Sequence, residues 1–426
     1  MIASRKYNLS TIVMMQFGRY RNGKLLLLGF SLFVLLCTYA YRKHAKSTTA
    51  KYNVMVWWSP YVKQLDYHRK CGEIECRFTS DRRVQMDPFF SGYLFHGSKV
   101  SIYDMPSNRR IDQYWGLYYD TSPKDAPFLL HALDIFNFSS TFSRYSTVPL
   151  TLQSFTTLEE LINYKNMYTF GQKSNFQRKM KMAPVLYIQS RCDTLTGREL
   201  YVKELSKYIL IDSYGACLNN KTLPNGITDN SMNVTDVRNF YDFASKYKFI
   251  IVYQDMICED YIIDKFWKSL SLGIVPIYFG ATNIRRYLPN PNSAILIEDF
   301  SSPQELAQFI SQVSNNEDVY TTFLYHKTMD FYPISNQLLV NAIFKEDIMY
   351  LESRRTRSIV EFECTACVQS YHQEHHQSHQ KEISCELPYF PPGNFTLKAL
   401  PRVQEFIEKA RMEAAIVHKM ADVRAT

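Results

Sequence analysis

From residue 184 onward, short apolar runs alternate with amphipathic stretches. Pro184–Ile188, Ile209–Asp212, Phe249–Tyr253, Ile274–Tyr278 and Ala294–Ile297 read as strands. Between them Arg198–Tyr208, Asp236–Lys246 and Asp260–Leu272 read as helices, the last closed by Gly273. Ser302-Pro303-Gln304-Glu305 carries the residues of a capping box, with proline at the first helical position. Leu306, Phe309, Ile310 and Val313 give the helix that follows one apolar face. Strands alternating with helices imply a parallel sheet covered on both sides. Earlier in the chain, strand patterns at Tyr52–Trp57, Gly92–His96 and Tyr114–Tyr119 are separated by polar loops, an α/β mixture. Pro401 to Ala421 reads as a last helix, with Val403, Phe406, Ile407 and Ala410 on one side. There is no internal repeat, and neither a G-x-G-x-x-G nor a Walker loop.

Composition fits a folded chain: of 426 residues, 46% are apolar and 21% charged, which excludes disorder as the dominant state. The net charge of +8 suggests a polyanion partner only until it is located. Nine of the 49 basic residues and none of the acidic ones precede residue 52, leaving 40 basic against 41 acidic in the body. A body so nearly neutral has no general attraction for nucleic acid. The early basic residues flank Leu25–Tyr41 (LLLLGFSLFVLLCTYAY), a charge-free run between Lys24 and Arg42. As a helix it is about 25 Å long, a short membrane span. Tyr39-Ala-Tyr41 before Arg42-Lys43 is not a small-residue cleavage site, so an uncleaved anchor is expected rather than a signal peptide. A short span suits the thinner membranes of the early secretory pathway. Beyond it stand eight cysteines and four N-x-S/T sequons, at Asn137, Asn220, Asn233 and Asn394, which favour an oxidising lumen. The expected order is a cytosolic tail (1–24), a signal anchor (25–41), a stem (42–51), a first domain (52–180), a second (181–350) and a Cys/His-rich extension with a terminal helix (351–426). That makes a single-pass type II protein of the endoplasmic reticulum or Golgi membrane.

Candidate chemistry concentrates around the third helix. Tyr261, Asp264 and Lys265 stand at i, i+3 and i+4, so a continuous helix presents phenol, carboxylate and ammonium on one face. Gln254 and Asp255 follow an apolar strand, and ligands bind at the carboxyl ends of strands in open α/β sheets. Lys265 is suited to a diphosphate, and Asp264 to ribose or sugar hydroxyls. The plainer alternative is a surface helix with a local ion pair.

YKFIIVYQDMICEDYIIDKFW (247–267) followed by GIVPIYFG (273–280) resembles the donor-binding signature of the α1,3-fucosyltransferase family. RELYVKEL (198–205) with DSYGACL (212–218) is similar to the preceding family block, and the likeness extends to SPKDAPFLLH (122–131), TFSRYS (141–146) and FECTAC (362–367). The details resemble most closely the divergent branch assigned to peptide O-fucosylation in the endoplasmic reticulum. The resemblance implies a GT-B architecture, two Rossmann-like domains facing a cleft, the first holding acceptor and base and the second GDP-fucose. It also implies an inverting displacement without a required cofactor or metal. Carried over by position, Arg198 and Lys265 face the diphosphate, while Gln254, Asp255, Tyr261 and Asp264 line the donor site. Three positions depart from the family. Thr121 stands where the family has its glutamate base, and a threonine hydroxyl does not ionise near neutral pH, so Asp120 next door becomes the candidate base. Gln254-Asp255 replaces Glu-Asn, and Asp264 replaces a glutamate.

Cys364 and Cys367 with the histidines downstream have the residue types of a zinc site, whereas the resemblance implies a Cys364–Cys367 disulfide. Cys71 and Cys76 form a second expected local bridge, and the pairing of Cys192, Cys217, Cys258 and Cys385 stays open. The leading expectation is transfer of fucose from GDP-fucose to a Ser/Thr hydroxyl of a folded protein domain in the secretory pathway. The alternatives are α1,3-fucosylation of N-acetylglucosamine on a glycan and, given Thr121 and Gln254, a donor-binding scaffold or quality-control protein with weak or no catalysis.

Overall fold

A computed structural model describes residues 53–421, except 61–63, 108, 151–157, 165–166, 193, 225–226, 228–233, 330, 342–353, 374–382, 388–389 and 394–395. The expected tail, anchor and stem, the sequons at Asn233 and Asn394, and His375, His376 and His379 lie outside the described residues. No helix among the described residues is long and apolar enough to cross a membrane.

Two sheets organise the chain from Asn53 onward. The first has the order β2-β3-β1-β4-β5-β6, built from β1 (Asn53–Ser59), β2 (Asp66–Cys71), β3 (Ile74–Thr79), β4 (Phe90–His96), β5 (Tyr114–Tyr118) and β6 (Phe138–Ser140). Every pairing is parallel except β2 with β3. That hairpin turns at Gly72, whose φ of 65° is a conformation glycine adopts without strain. Alternation of side chains splits the central strands between two cores. Val56, Phe95, Trp115 and Leu117 face one way, and Met55, Trp57, Leu94 and Tyr118 the other.

The second sheet is wholly parallel, in the order β11-β10-β9-β7-β8: β7 (Val185–Ile188), β8 (Ile211–Tyr214), β9 (Phe249–Tyr253), β10 (Val275–Phe279) and β11 (Ile295–Leu296). Strands buried on both faces read as unbroken apolar runs, which is why Phe249–Tyr253 was legible to the residue. Helices α1 (Phe170–Met180), α2 (Arg198–Leu205), α3 (Val234–Ser245), α4 (Asp264–Ser271) and α5 (Pro303–Ser314) accompany it. Phe266, Trp267 and Leu270 of α4 cover one face, and Leu306, Ile310 and Val313 of α5 the other. Gly273, in the left-handed region at φ 64°, ends the α4 segment as expected. Ser302 Oγ accepts from the Glu305 N–H, but Glu305 returns its carboxylate to Ser301, one residue before the cap.

Two late helices return to the first sheet. α6 (Arg354–His372) lays Phe362 against Trp57, Tyr118 and Phe138. α7 (Thr396–Ala421) places Val403, Ala410 and Val417 in the opposite core, among Phe128, Leu129 and Leu130. The expected local disulfides are corrected here: Cys71 bonds Cys364 and Cys76 bonds Cys367. Within α6 the two cysteines are i, i+3 neighbours on one face, so both point at the hairpin. In the hairpin Cys71 stands opposite Ile74 and Cys76 opposite Arg69, so neither cysteine has the other as its cross-strand partner. Cys192–Cys217 and Cys258–Cys385 complete four bridges, and a zinc role for Cys364 and Cys367 is thereby excluded.

Candidate active site

Chain order reverses in the second sheet between β7 and β9, and it is at the carboxyl ends of strands at such a reversal that open α/β sheets hold ligands. The loop after β7 forms one wall. The Cys192–Cys217 bridge ties it to the segment after β8, and Gly197 at φ 68° turns it into α2. Arg198 is 2% exposed and folds under this loop. Its Nε donates to Glu199, its Nη1 to the Tyr253 carbonyl and its Nη2 to the Arg191 carbonyl. Its charge is met by Glu199 at 2.7 Å. The guanidinium therefore shapes the wall from beneath.

Lys265 reaches the same wall from α4. Its Nζ donates to the Ile188 carbonyl at 2.7 Å and to Gln189 Oε1 at 3.2 Å, and the side chain is half-buried. The two cations thus meet one stretch of backbone, residues 188–191. The expected helical face of Tyr261, Asp264 and Lys265 does not form, because Asp260 adopts φ 64° and α4 begins only at Asp264. Asp264 instead pairs with Lys268 on the outside, 2.6 Å away. Tyr261 turns inward against Phe142, and its hydroxyl faces Asp255 Oδ1 at 3.4 Å. Burial, with the Asp255 charge second, holds the Tyr261 phenol well above the ordinary tyrosine range, so it stays a donor.

Gln254 was expected to line the donor site, but it is 1% exposed and engaged with protein at both ends of its amide. Nε2 donates to the Tyr261 carbonyl at 2.7 Å, while Oε1 accepts from the Tyr278 hydroxyl and the Ala281 N–H. Asp255, half-buried, accepts from Ser122 Oγ at 2.9 Å. That bond joins the two sheets, since Ser122 lies just past β5. Nearby, Arg191 pairs with Asp125. A second tie runs through buried Asp260, which holds Arg144, Asn283 and Tyr287. Asp120 also follows β5, with its side chain 8% exposed and 3.8 Å from His96 Nε2.

Sequence reasoning left Ser122, Arg191, Asp260 and His96 without roles. Ser122 and Arg144 lay inside blocks that carried the resemblance, but their partners are more than 100 residues away and no local pattern names them. Of the described sequons, Asn220 uses its Nδ2 on the Ile211 carbonyl, and Asn137 Oδ1 caps the Trp115 N–H. Among the described residues no three His, Cys, Asp or Glu side chains are grouped to hold a metal.

The two sheets are thus tied at the carboxyl ends of their strands by Ser122 and Asp255, with Lys265 held at the end of β7. Residues 176–385 match the family model described as glycosyltransferase family 10 (fucosyltransferase) C-term. Alpha-(1,3)-fucosyltransferase B of Drosophila melanogaster is 38% identical over 317 residues, 74% of this chain and 71% of that one. GDP-fucose protein O-fucosyltransferase 3 of Canis lupus familiaris is 36% identical over 321 residues, 75% of this chain. The chain belongs to the glycosyltransferase family 10 fucosyltransferases. It spans 66% of the length of the dog relative and of its rat counterpart. A crystal structure of alpha1,3-fucosyltransferase with GDP-fucose aligns at 15% identity and a TM-score of 0.36, over 62% of this chain and 80% of that one, too loosely to inform the site.

Proposed function

We propose that this chain is an inverting fucosyltransferase that moves fucose from GDP-fucose to a Ser/Thr hydroxyl of a folded protein domain. The observation that carries the reading is that Lys265 and Asp255 stand at the carboxyl ends of β7 and β9, with the Tyr261 hydroxyl facing Asp255 and Asp255 bonded to Ser122 just after β5. In this reading the two sheets are the halves of a GT-B enzyme. Lys265 offers its ammonium to the diphosphate, while Asp255 and Tyr261 orient the nucleotide or sugar hydroxyls. Arg198 acts through the 188–191 backbone it supports, and Asp264 lies at the outer rim. Asp120 takes the proton of the acceptor hydroxyl. The leaving diphosphate is stabilised by fixed positive charge, with no metal required. The names of the mammalian relatives support protein as acceptor. Four disulfides support an oxidising compartment, and with the apolar run at 25–41 they favour a type II anchor in the endoplasmic reticulum or Golgi membrane.

The test is to incubate the purified chain with GDP-fucose, a panel of folded secretory domains and a panel of glycans. Fucose bound to a Ser or Thr oxygen supports the proposal. Transfer only to N-acetylglucosamine replaces it with the glycan reading, and GDP binding without transfer to any acceptor replaces it with the scaffold reading.

A further inference from the structure

Ser122 with Asp255, Arg144 with Asp260 and Arg191 with Asp125 tie the loops that follow the strands of the two sheets. The first two ties draw on groups nearly closed to water, since Ser122 is 8% and Asp260 1% exposed. The third is open, with the Arg191 and Asp125 side chains 65% and 32% exposed. It is a forked pair: Arg191 Nη2 donates to Asp125 Oδ1 at 2.6 Å and Nη1 to Oδ2 at 3.2 Å. Beneath that side chain the backbone is fixed. The Arg191 carbonyl accepts from buried Arg198, and the next residue, Cys192, is bonded to Cys217. Two residues earlier, Gln189 Oε1 accepts from Lys265. Further on, the Leu195 N–H donates to the Asp255 carbonyl at 3.2 Å, so this loop crosses the carboxyl end of β9. Asp125 first, and then Asp255, hold the Arg191 guanidinium above the ordinary arginine range, so both carboxylates lie within its electrostatic reach.

We infer that Arg191 is a donor-binding residue held in reserve by Asp125: as GDP-fucose enters, the guanidinium exchanges that carboxylate for an oxygen of the diphosphate. The inference rests on the diphosphate lying beside Lys265, as proposed above. A guanidinium fork fits phosphate as it fits carboxylate, so the exchange asks for a swing of one exposed side chain and no new backbone path. The balance favours it, because an exposed ion pair contributes little while a charge-assisted bond to a diphosphate is among the stronger contacts. Arg198, the cation that spacing pointed to, is already committed to Glu199 and to two backbone carbonyls. The loop it supports presents Arg191 in its place. Asp125 is then an internal competitor of the donor, so removing the two partners of one ion pair acts on donor affinity in opposite directions.

The full chain is titrated with GDP by calorimetry, and guanosine, which lacks the phosphates, is measured by displacement. Arg191→Ala is expected to weaken GDP binding by about ten- to a hundredfold and to leave guanosine within about twofold of the parent. Asp125→Ala is expected to tighten GDP binding by about two- to fivefold, the worth of an exposed pair that no longer has to be broken. In the Arg191→Ala background that gain is expected to fall away, because the competition it relieves is gone. Parental GDP affinity in Arg191→Ala overturns the inference, as does a guanosine loss as large as the GDP loss. So does an Asp125→Ala protein that binds GDP no tighter than the parent, or one whose gain is equal in the two backgrounds. If Arg191→Ala does not fold, Arg191→Gln, close in length and still able to donate to Asp125, is read by the same criteria. A parent chain without GDP affinity removes the proposed function and the inference together. Weakened GDP binding in Lys265→Ala beside parental affinity in Arg191→Ala removes the inference alone.

Discussion

The two bridges between the β2–β3 hairpin and α6 close nearly the same loop, with separations of 293 and 291 residues, and this makes their contributions unequal to the sum of their parts. In the chain-entropy relation, one cross-link over so long a loop restricts the unfolded chain by about 5 to 6 kcal/mol. Once either bridge exists, the other closes only a ring of roughly ten residues, through the hairpin turn and one turn of helix, worth about 2.5 kcal/mol. Cys71→Ala/Cys364→Ala and Cys76→Ala/Cys367→Ala are each therefore expected to cost about 2.5 kcal/mol, and all four changes together about 8. The larger figure is comparable to the whole stability of an ordinary domain, so the fourfold variant is expected to be unfolded where each double variant folds. Guanidinium unfolding under non-reducing conditions measures the difference, and peptide mapping of the unreduced chain checks the pairing. A fourfold variant that loses only the sum of the two double variants refutes the shared-loop argument. A peptide joining Cys71 to Cys76 refutes the pairing itself.

Lys265→Ala is expected to weaken GDP binding by about 1.5–3 kcal/mol, the range for a hydrogen bond from a charged group, read by calorimetry; unchanged affinity removes its diphosphate role. Treatment with a chelator is expected to leave GDP affinity unaltered, and a strict loss would require a metal in the donor site. His326 is fully buried with its Nε2 3.2 Å from the Leu270 carbonyl, and burial holds its imidazole down at about 3. A base whose folded-state value is lowered contributes stability that is complete above its unfolded value near 6.5 and is lost as pH falls toward 3. Between pH 7 and 5 this one group is expected to remove about 2 kcal/mol, and His326→Gln to flatten the unfolding profile there by that amount. An unchanged pH slope in His326→Gln sinks that assignment.

The second sheet was legible because its strands are buried on both faces, as Phe249–Tyr253 and Val275–Phe279 are, and apolar runs betray them without partners. The β2–β3 hairpin was not, because DYHRKC lies at the sheet edge with one side toward water, and an alternating polar strand resembles a loop. α6 was missed for a different reason. Its helical period runs through Glu363, which is buried between Trp57, Tyr67 and Arg69 and which no hydrophobic pattern counts as core. The start of α4 failed at a single residue: Asp260 in the left-handed region breaks the period before Tyr261, and its reason is a pair of distant partners, Arg144 and Tyr287. Spacing along the chain reported the lysine at the site, then, but not the direction in which its neighbours face.

The same geometry weighs the departures from the family pattern separately. Gln254 suggested a lost negative charge beside the sugar, and with Thr121 it motivated a protein that binds donor without turnover. In the structure the Gln254 amide nitrogen meets the Tyr261 carbonyl, an acceptor. An ionised glutamate in that pose would set oxygen against oxygen, so the amide is the side chain this local fold requires. Its replacement of a carboxylate is thus coupled to the path of the chain through 260–263 rather than to charge facing the donor. The scaffold reading loses that half of its motive and keeps Thr121 alone. Under the proposed function the role of base then falls to Asp120, one residue earlier, at the carboxyl edge of the first sheet and 3.8 Å from the His96 imidazole.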